Sequence, residues 1–145
     1  YCGTGTIGLC MAPFARRVLG IEMQTDAVEN ARKNAALNAV ENIQFFAGDV
    51  GKVLQSDDFR AQSTSSVDLI IVDPPRAGLY NEAIEHILEI GPRRLVYVSC
   101  NPTTLAKNLA DFQAQGYQIE RIQPVDMFPQ TFHIENIALL TRKTV

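Results

Sequence analysis

The chain has 145 residues, 46% of them hydrophobic and 20% charged, and a formal net charge of −3. This length and composition predict one ordinary soluble domain with a core of its own. No apolar run approaches the roughly 20 residues of a membrane span and no signal peptide opens the chain, so we expect a cytoplasmic protein without a membrane partner. The acidic charge argues against nucleic acid as a partner, although the arginine pairs at 16–17 and 93–94 supply local basic patches.

The chain opens with the glycine-rich turn YCGTGTIG, followed by a helical segment. Because such a turn normally follows a buried strand, we expect a fragment of a longer protein with a truncated first strand. Glycines in a tight turn are weak evidence of a cofactor site, since they serve structural turns as often. However, the next predicted strand, Val18–Glu22, ends in a carboxylate 17 residues after Gly5. At this spacing an acidic residue meets a ribose diol, so the two features together predict a nucleoside-cofactor site.

A helix and a third strand follow. We expect Thr25 and Asp26 to cap the helix, whose alanines form a small-residue face and carry no chemistry. The strand over 43–49 closes in Gly-Asp, where Asp49 either accepts a hydrogen bond from an adenine amino group or caps the following turn. Residues 51–66 are polar, and 62–66 are predicted to be a surface loop and not a domain boundary.

The segment Val67–Asp73 is predicted to be a fully buried strand, because it contains the continuous apolar run Leu-Ile-Ile-Val. It leads into the turn DPPRAG, whose two prolines keep the backbone extended. This would hold the Asp73 carboxylate and the Arg76 guanidinium at the mouth of one crevice. A turn so constrained is rarely a plain connection, and we expect it to be functional. A helix over 82–90, stopped by Gly-Pro, comes next.

Cys100 is the strongest candidate for chemistry. It ends the predicted strand that begins at Leu95, and the Asn-Pro turn behind it opens a helix over 105–115. Ligands of open α/β sheets bind outside the carboxyl ends of the strands, and a helix amino terminus favours a reactive thiolate. A buried structural cysteine is the equally expected alternative. Cys2, Cys10 and Cys100 show no paired spacing, which argues against disulfides and zinc, and we predict no metal site.

Two β-rich segments, 117–125 and 134–141, complete the chain around an aromatic loop over 126–133. His133 and Glu135 are two residues apart, so on a strand both would face the same side. We expect His133 to be a hydrogen-bonded structural imidazole. Strands that alternate with helices, followed by a β-rich end, predict an α/β, Rossmann-like fold with a mostly parallel, doubly wound sheet and an antiparallel C-terminal strand.

Four blocks of this sequence resemble the S-adenosylmethionine-dependent RNA uracil-5-methyltransferases, which form 5-methyluridine in tRNA or rRNA. The blocks are YCGTGTIG at 1–8, DPPRAGL at 73–79, VSCNP at 98–102 and DMFPQTFHIE at 126–135. The first is common to many methyltransferases, whereas the last three together are specific. The resemblance implies a class I methyltransferase catalytic domain over 1–145, with an upstream RNA-binding domain outside it. It further implies S-adenosylmethionine as cofactor and a uridine of tRNA or rRNA as substrate, and we expect a monomer.

The resemblance also implies roles for individual residues. Cys100 matches the nucleophile and Glu135 the general base. Among the cofactor contacts, Glu22 would bind the ribose hydroxyls, Asp49 the adenine, and Asp73 the methionine end near the target base. The other cofactor contacts would be Tyr1, Gly3, Gly5 and Thr6, and the substrate contacts would be Arg76, Asn101 and Phe128.

Two other functions stay open on the sequence. Asp-Pro-Pro also occurs in amino-group methyltransferases that act on adenine or glutamine, but there an aromatic residue normally follows the prolines to stack on the planar amine. Arg76 stands at that position here. The other alternative is a non-catalytic RNA-binding or cofactor-binding module, in which Cys100 belongs to the core and the acidic charge reflects protein partners.

Overall fold

The structure is a computed structural model that describes residues 1–62 and 67–143. The chain forms two compact units, Tyr1–Thr64 and Ser65–Val145. That all 145 residues make up one catalytic domain stays a prediction. Within the described ranges, no helix is both long enough and apolar enough to cross a bilayer.

The first unit contains a parallel pair of strands and four short or medium helices. Strand β1 pairs with β2 from Val18 opposite Ile43 to Glu22 opposite Ala47. The elements in chain order are α1 (Thr6–Met11), a 3-10 turn (Ala12–Phe14), β1 (Val18–Glu22), α2 (Thr25–Leu37), β2 (Ile43–Ala47), α3 (Val50–Gln55) and α4 (Asp57–Gln62).

The core of this unit lies between α2 and the sheet. It is formed by Val28, Ala31 and Ala35 of the helix and by Phe45 of β2. The small-residue face predicted for α2 is therefore confirmed. The predicted cap is wrong, because Thr25 is already the first helical residue and Gln24, at the N-cap position, makes no side-chain cap hydrogen bond.

The polar stretch after β2 is more ordered than its composition indicates. It forms α3 and α4, and each begins at a polar side chain that accepts a backbone N–H: Asp49 Oδ1 from Lys52 N at 3.1 Å, and Ser56 Oγ from Phe59 N at 3.3 Å. These caps stabilise short helices that show no apolar periodicity. The rest of the predicted surface loop, residues 63–66, lies outside the described residues.

The second unit contains a four-stranded sheet in the order β3-β4-β6-β5. Strands β3 and β4 are parallel, and β6 runs antiparallel to both of its neighbours. The predicted α/β, Rossmann-like fold with an antiparallel C-terminal strand is confirmed. The elements are β3 (Leu69–Val72), α5 (Asn81–Ile90), β4 (Arg94–Ser99), α6 (Pro102–Ala114), β5 (Tyr117–Val125) and β6 (Glu135–Arg142).

Burial along β4 and β6 alternates and defines a covered face of this sheet. Leu95, Tyr97 and Ser99 are buried, and they stand opposite Leu140, Ala138 and Asn136, which are buried too. By contrast, β3 is not fully buried as predicted: Val72 is buried but the other three residues are only partly covered. Within the described residues β3 pairs only with β4, so it is an edge strand of its sheet.

Candidate functional site

The glycine-rich turn of the first unit is fixed by hydrogen bonds to β1 and α2. Cys2 N donates to Ile21 O at 3.1 Å, and Asn34 Nδ2 of α2 donates to Thr4 O at 3.0 Å. Gly5 has a φ of 83° and lies so close to Phe45 that a Cβ would approach the ring to 2.7 Å. Only glycine satisfies both conditions, so the turn is a rigid element lying against the end of β1.

The Glu22 carboxylate ends β1 and binds this turn directly. It accepts Gly3 N at 3.0 Å on Oε2 and Gln24 N at 3.1 Å on Oε1. Burial by itself would raise the pKa of Glu22. The backbone hydrogen bonds from Gln24 and Gly3 have the larger combined effect, so the pKa of Glu22 lies below its ordinary value. The side chain is half-buried and ionised at neutral pH, with lone pairs left for two hydroxyl groups.

The other first-unit residues predicted to contact the cofactor lie on or near the same turn. Thr6 opens α1, its hydroxyl 3.4 Å from that of Thr4, and Tyr1 is half-buried with its amino group 2.7 Å from Ile21 O. Asp49 caps α3, as the structural alternative predicted. Whether Asp49 also contacts an adenine stays a prediction.

Cys100 and Glu135, predicted to be catalytic, and Asp73, predicted to contact the cofactor, lie at one edge of the sheet of the second unit. Because β3 and β4 are parallel, Asp73 and Cys100 follow their strands at the same edge. Strand β6 runs the other way, so its first residue, Glu135, lies at that edge as well. Three segments far apart in the sequence therefore bring these residues to the same edge of the sheet.

Cys100 and Glu135 occupy neighbouring positions there. The last pair between β4 and β6 joins Ser99 to Asn136. Cys100 directly follows Ser99, and Glu135 directly precedes Asn136. Paired strands lie about 5 Å apart. Both residues are half-buried, and Cys100 lies just before the amino terminus of α6, a helix of 13 residues.

Asp73 begins the loop that follows β3. Much of its surface is accessible, but surrounding protein still withdraws the carboxylate partly from water, and this burial raises the pKa of Asp73. A partly desolvated carboxylate at the end of a strand is more typical of a functional group than of a surface charge.

The Arg76 backbone is held by the start of α6. Its carbonyl accepts Asn101 Nδ2 at 3.1 Å and Thr104 Oγ1 at 3.2 Å. Asn101 also caps α6, since its Oδ1 accepts Thr103 N at 3.1 Å. Asn101 thus has a structural role at this edge that the sequence did not reveal, and its contact with substrate stays a prediction.

A buried amide fixes the other end of the same loop. Asn108 of α6 accepts Leu79 N at 2.9 Å and donates to Leu79 O at 3.2 Å, while Tyr97 donates its hydroxyl to Asn108 Oδ1 at 2.8 Å. Gly78, with a φ of 80°, leaves room for this contact, because a Cβ there would lie 2.7 Å from Asn108 Oδ1.

The hydrogen bonds between Asn108 and Leu79, which clamp the loop after β3 to α6, were not predicted from the sequence, although a signal was present. Asn108 interrupts the apolar face that Leu105, Leu109 and Phe112 form on α6. An asparagine at a core position needs partners for its amide group.

The Arg76 side chain reaches the aromatic loop over 126–134. Its Nη1 lies 3.3 Å from His133 Nδ1, and because arginine can only donate, this imidazole nitrogen is the acceptor. The expected hydrogen-bonded imidazole is confirmed. However, β6 begins at Glu135, so His133 precedes the strand and the condition under which the two side chains would share a strand face is not met. Phe128, assigned to substrate, is 52% exposed in this loop.

The comparisons with known proteins agree with this geometry. The model of the tRNA (uracil-5-)-methyltransferase family matches residues 1–143. Two uncharacterized RNA methyltransferases are similar to this chain. That of Caldanaerobacter subterraneus is 46% identical over 98% of the chain, and that of Protochlamydia amoebophila is 47% identical over 97% of it. The chain spans 30% and 31% of their lengths.

Solved structures share the fold of this chain. The Pyrococcus abyssi tRNA (uracil-54, C5)-methyltransferase, in complex with S-adenosyl-L-homocysteine, has a TM-score of 0.79 and 35% identity over 97% of this chain and 33% of its own. An rRNA methylase from Streptococcus thermophilus, at 15% identity, has a TM-score of 0.74 over 99% of this chain and 84% of its own, and shows a shared fold alone. By the match over 1–143, this chain belongs to the tRNA (uracil-5-)-methyltransferase family.

Proposed function

We propose that this protein transfers a methyl group from S-adenosylmethionine to carbon 5 of a uridine in tRNA or rRNA, through a covalent bond between Cys100 and the base. The observation that carries the proposal is the neighbouring position of Cys100 and Glu135 past the last β4–β6 pair. This chemistry needs a sulfur nucleophile and a carboxylate base beside one ring.

The first unit suits the methyl donor. The ionised Glu22 carboxylate matches the ribose hydroxyls, and Gly3 presents open space where a side chain would project. Tyr1, Gly5, Thr6 and Asp49 complete this part of the cofactor set, and Asp73 is assigned to the methionine end. When bound, S-adenosylmethionine supplies an electrophilic methyl group on a sulfonium, and the protein's task is orientation.

Cys100 provides the activation that uracil lacks. Carbon 5 of the free base is a poor nucleophile, because the ring does not concentrate electron density there. Attack of the Cys100 thiolate forms a bond from Sγ to carbon 6, and the electrons of the 5,6 double bond pass into an enolate that includes carbon 5. Carbon 5 is then nucleophilic enough to form its bond to the methyl group.

Glu135 completes the reaction. After methylation, carbon 5 carries both the new methyl group and its original proton. The Glu135 carboxylate takes this proton, the 5,6 double bond re-forms, and the Sγ–carbon 6 bond breaks to release the Cys100 thiolate. Without a base at this position the protein would remain bound to the RNA.

The target uridine must leave its stack to meet both groups, at a cost of a few kcal/mol that is lower in a loop. Arg76, Asn101 and Phe128 are the residues assigned to hold it. Arg76 is exposed at the edge that carries Cys100, and its backbone is anchored by α6.

The test uses the full-length protein, methyl-labelled S-adenosylmethionine and RNA carrying tritium on carbon 5 of its uridines, prepared from cells that lack the protein. Methylation at carbon 5 expels the tritium into water, so we expect one tritium released for each methyl group incorporated. Methyl incorporation without tritium release would indicate an amino-group methyltransferase. RNA binding with neither methyl transfer nor tritium release would indicate a non-catalytic module.

A further inference from the structure

The loop over 126–134 exposes an unusual amount of aromatic and apolar surface. Phe132 is 85% exposed, Met127 61% and Phe128 52%. Clustered apolar side chains of this size on a surface mark interaction sites more often than chance exposure. We call the rings of Phe128, Phe132 and His133 the aromatic ledge.

The ledge is held in place by its own loop. Thr131 Oγ1 donates to Phe128 O at 2.8 Å, and His133 N donates to Thr131 Oγ1 at 3.2 Å. The His133 ring lies 4.2 Å from the Phe132 ring at a tilt of 40°, and 6.4 Å from the Phe128 ring at 76°. The rings are therefore arranged before any partner arrives, which lowers the entropic cost of binding.

Positive charge adjoins these rings. Arg76 Nη1 lies 3.3 Å from His133 Nδ1, and the His133 ring in turn lies 4.2 Å from the Phe132 ring, so a guanidinium adjoins the ledge. A partner that fits must offer a flat apolar surface together with a negative group. A nucleotide offers both in its base and its phosphate, and exposed aromatic rings beside arginine are typical of sites for single-stranded nucleic acid.

We propose that Phe132 is a stacking platform for an unpaired nucleotide next to the target uridine. This inference rests on the proposed function, which makes RNA the partner, and adds that the RNA must be unpaired beside its target. A base stacks on a protein ring only where its own neighbour has been displaced. Because every base has a π-face, Phe132 selects an open loop rather than a particular base.

The test measures equilibrium binding of RNA to the full-length protein without a methyl donor, so that no turnover is needed. The probes are a hairpin RNA with an unpaired, uridine-containing loop and the same strand closed into a full duplex. Phe132→Ala is compared with Phe132→Trp, which keeps a stacking surface. The matched control is Phe14→Ala in the first unit, because Phe14 is 83% exposed.

We expect Phe132→Ala to bind the hairpin about 5- to 150-fold more weakly, with affinity for the duplex unchanged. Phe132→Trp and Phe14→Ala should stay within about twofold of the unsubstituted protein. Equal hairpin affinities of Phe132→Ala and the unsubstituted protein would overturn the proposal and assign the ledge to a protein partner. An equal loss in Phe14→Ala would overturn it too. Tritium release from the unsubstituted protein tests the proposed function separately, since it does not depend on the outcome of this binding experiment.

Discussion

Cys100 and Glu135 each lie one position beyond the Ser99–Asn136 pair, at the edge where β4 ends and β6 begins. Because β6 runs antiparallel to β4, its first residue, Glu135, lies at the carboxyl end of β4, where Cys100 follows. A parallel final strand would begin at the opposite edge of the sheet.

Cys100→Ser is expected to lower methyl transfer by roughly 10³-fold or more, because serine cannot supply a thiolate, while S-adenosylmethionine binding stays intact. Single-turnover methyl transfer and calorimetric binding measure the two effects. Cys10→Ser is the matched control, since Cys10 is exposed on the first unit and has no assigned role. Near-normal turnover of Cys100→Ser would contradict thiol addition.

Glu135→Gln is expected to trap the covalent protein–RNA adduct, because addition and methyl transfer precede the missing proton removal. A denaturing gel should show a slower-migrating band that contains both protein and RNA. The double variant with Cys100→Ala should lack this band. If Glu135→Gln gives no such species with an RNA that the unsubstituted protein methylates, Glu135 is not the base.

Glu22→Gln is expected to weaken S-adenosylmethionine binding about 10- to 150-fold, because it removes the charge from the hydrogen bonds that we propose Glu22 makes with the ribose. Glu29→Gln, on the exposed surface of α2, serves as the control.

Glu22→Gln should also change how the stability of the protein depends on pH. Since folding lowers the pKa of Glu22, its contribution is present above the ordinary carboxyl pKa of about 4.3 and is lost as the pH falls through the folded value. The melting temperatures of the unsubstituted protein and of Glu22→Gln should therefore differ at neutral pH and converge in acid. A difference that stays constant with pH would contradict this assignment.

Asp73→Asn is expected to slow methyl transfer yet raise the melting temperature at neutral pH. Burial raises the pKa of Asp73, so the stability linked to this group is present below its ordinary pKa and is lost as the pH rises through the folded value. The neutral amide avoids that loss. Asp68→Asn, also exposed and in the same unit, controls for the charge change. A melting temperature lowered by Asp73→Asn would show that the carboxylate stabilises the fold.

Asn108→Ala is expected to destabilise the protein by about 1–3 kcal/mol, because Leu79 O loses its buried donor and Leu79 N keeps only its longer bond to Tyr97 Oη, at 3.3 Å. Methyl transfer should fall further than stability explains, since the loop that carries Arg76 is no longer clamped. Urea unfolding and single-turnover rates measure these effects, and Gln113→Ala, exposed on the same helix, is the control. Full activity of Asn108→Ala would show that the loop needs no clamp.

The elements that could be predicted from the sequence are those with a strong local signal. Strand β1 occupies Val18–Glu22, the range predicted from its apolar run and flanking turns. Helix α6 begins at Pro102, three residues before its predicted start, because Asn101 caps it and proline fits the first turn. Helices α3 and α4 were missed, since capping stabilises them without an apolar pattern.

The site could be predicted only in its components. Cys100 and Asp73 follow from motifs at the ends of predicted strands, and Glu135 follows from a motif near the start of one. Their meeting depends on which strands pair and in which direction, and a local pattern does not contain this information. The Asn108–Leu79 contact joins residues 29 apart in the chain, so no window of neighbouring residues could reveal it.

The pairing of β6 with β4 has a consequence for how this protein tolerates insertions. Side chains of a strand alternate between two faces, so a slip of one residue would exchange Glu135 with Asn136 and turn the carboxylate to the far side of the sheet. Ala138 and Leu140 are fully buried several residues downstream, and they oppose such a slip because it would turn both of them away from the covered face of the sheet. The face of the sheet toward which Glu135 points therefore depends on the burial of two apolar residues further along the same strand.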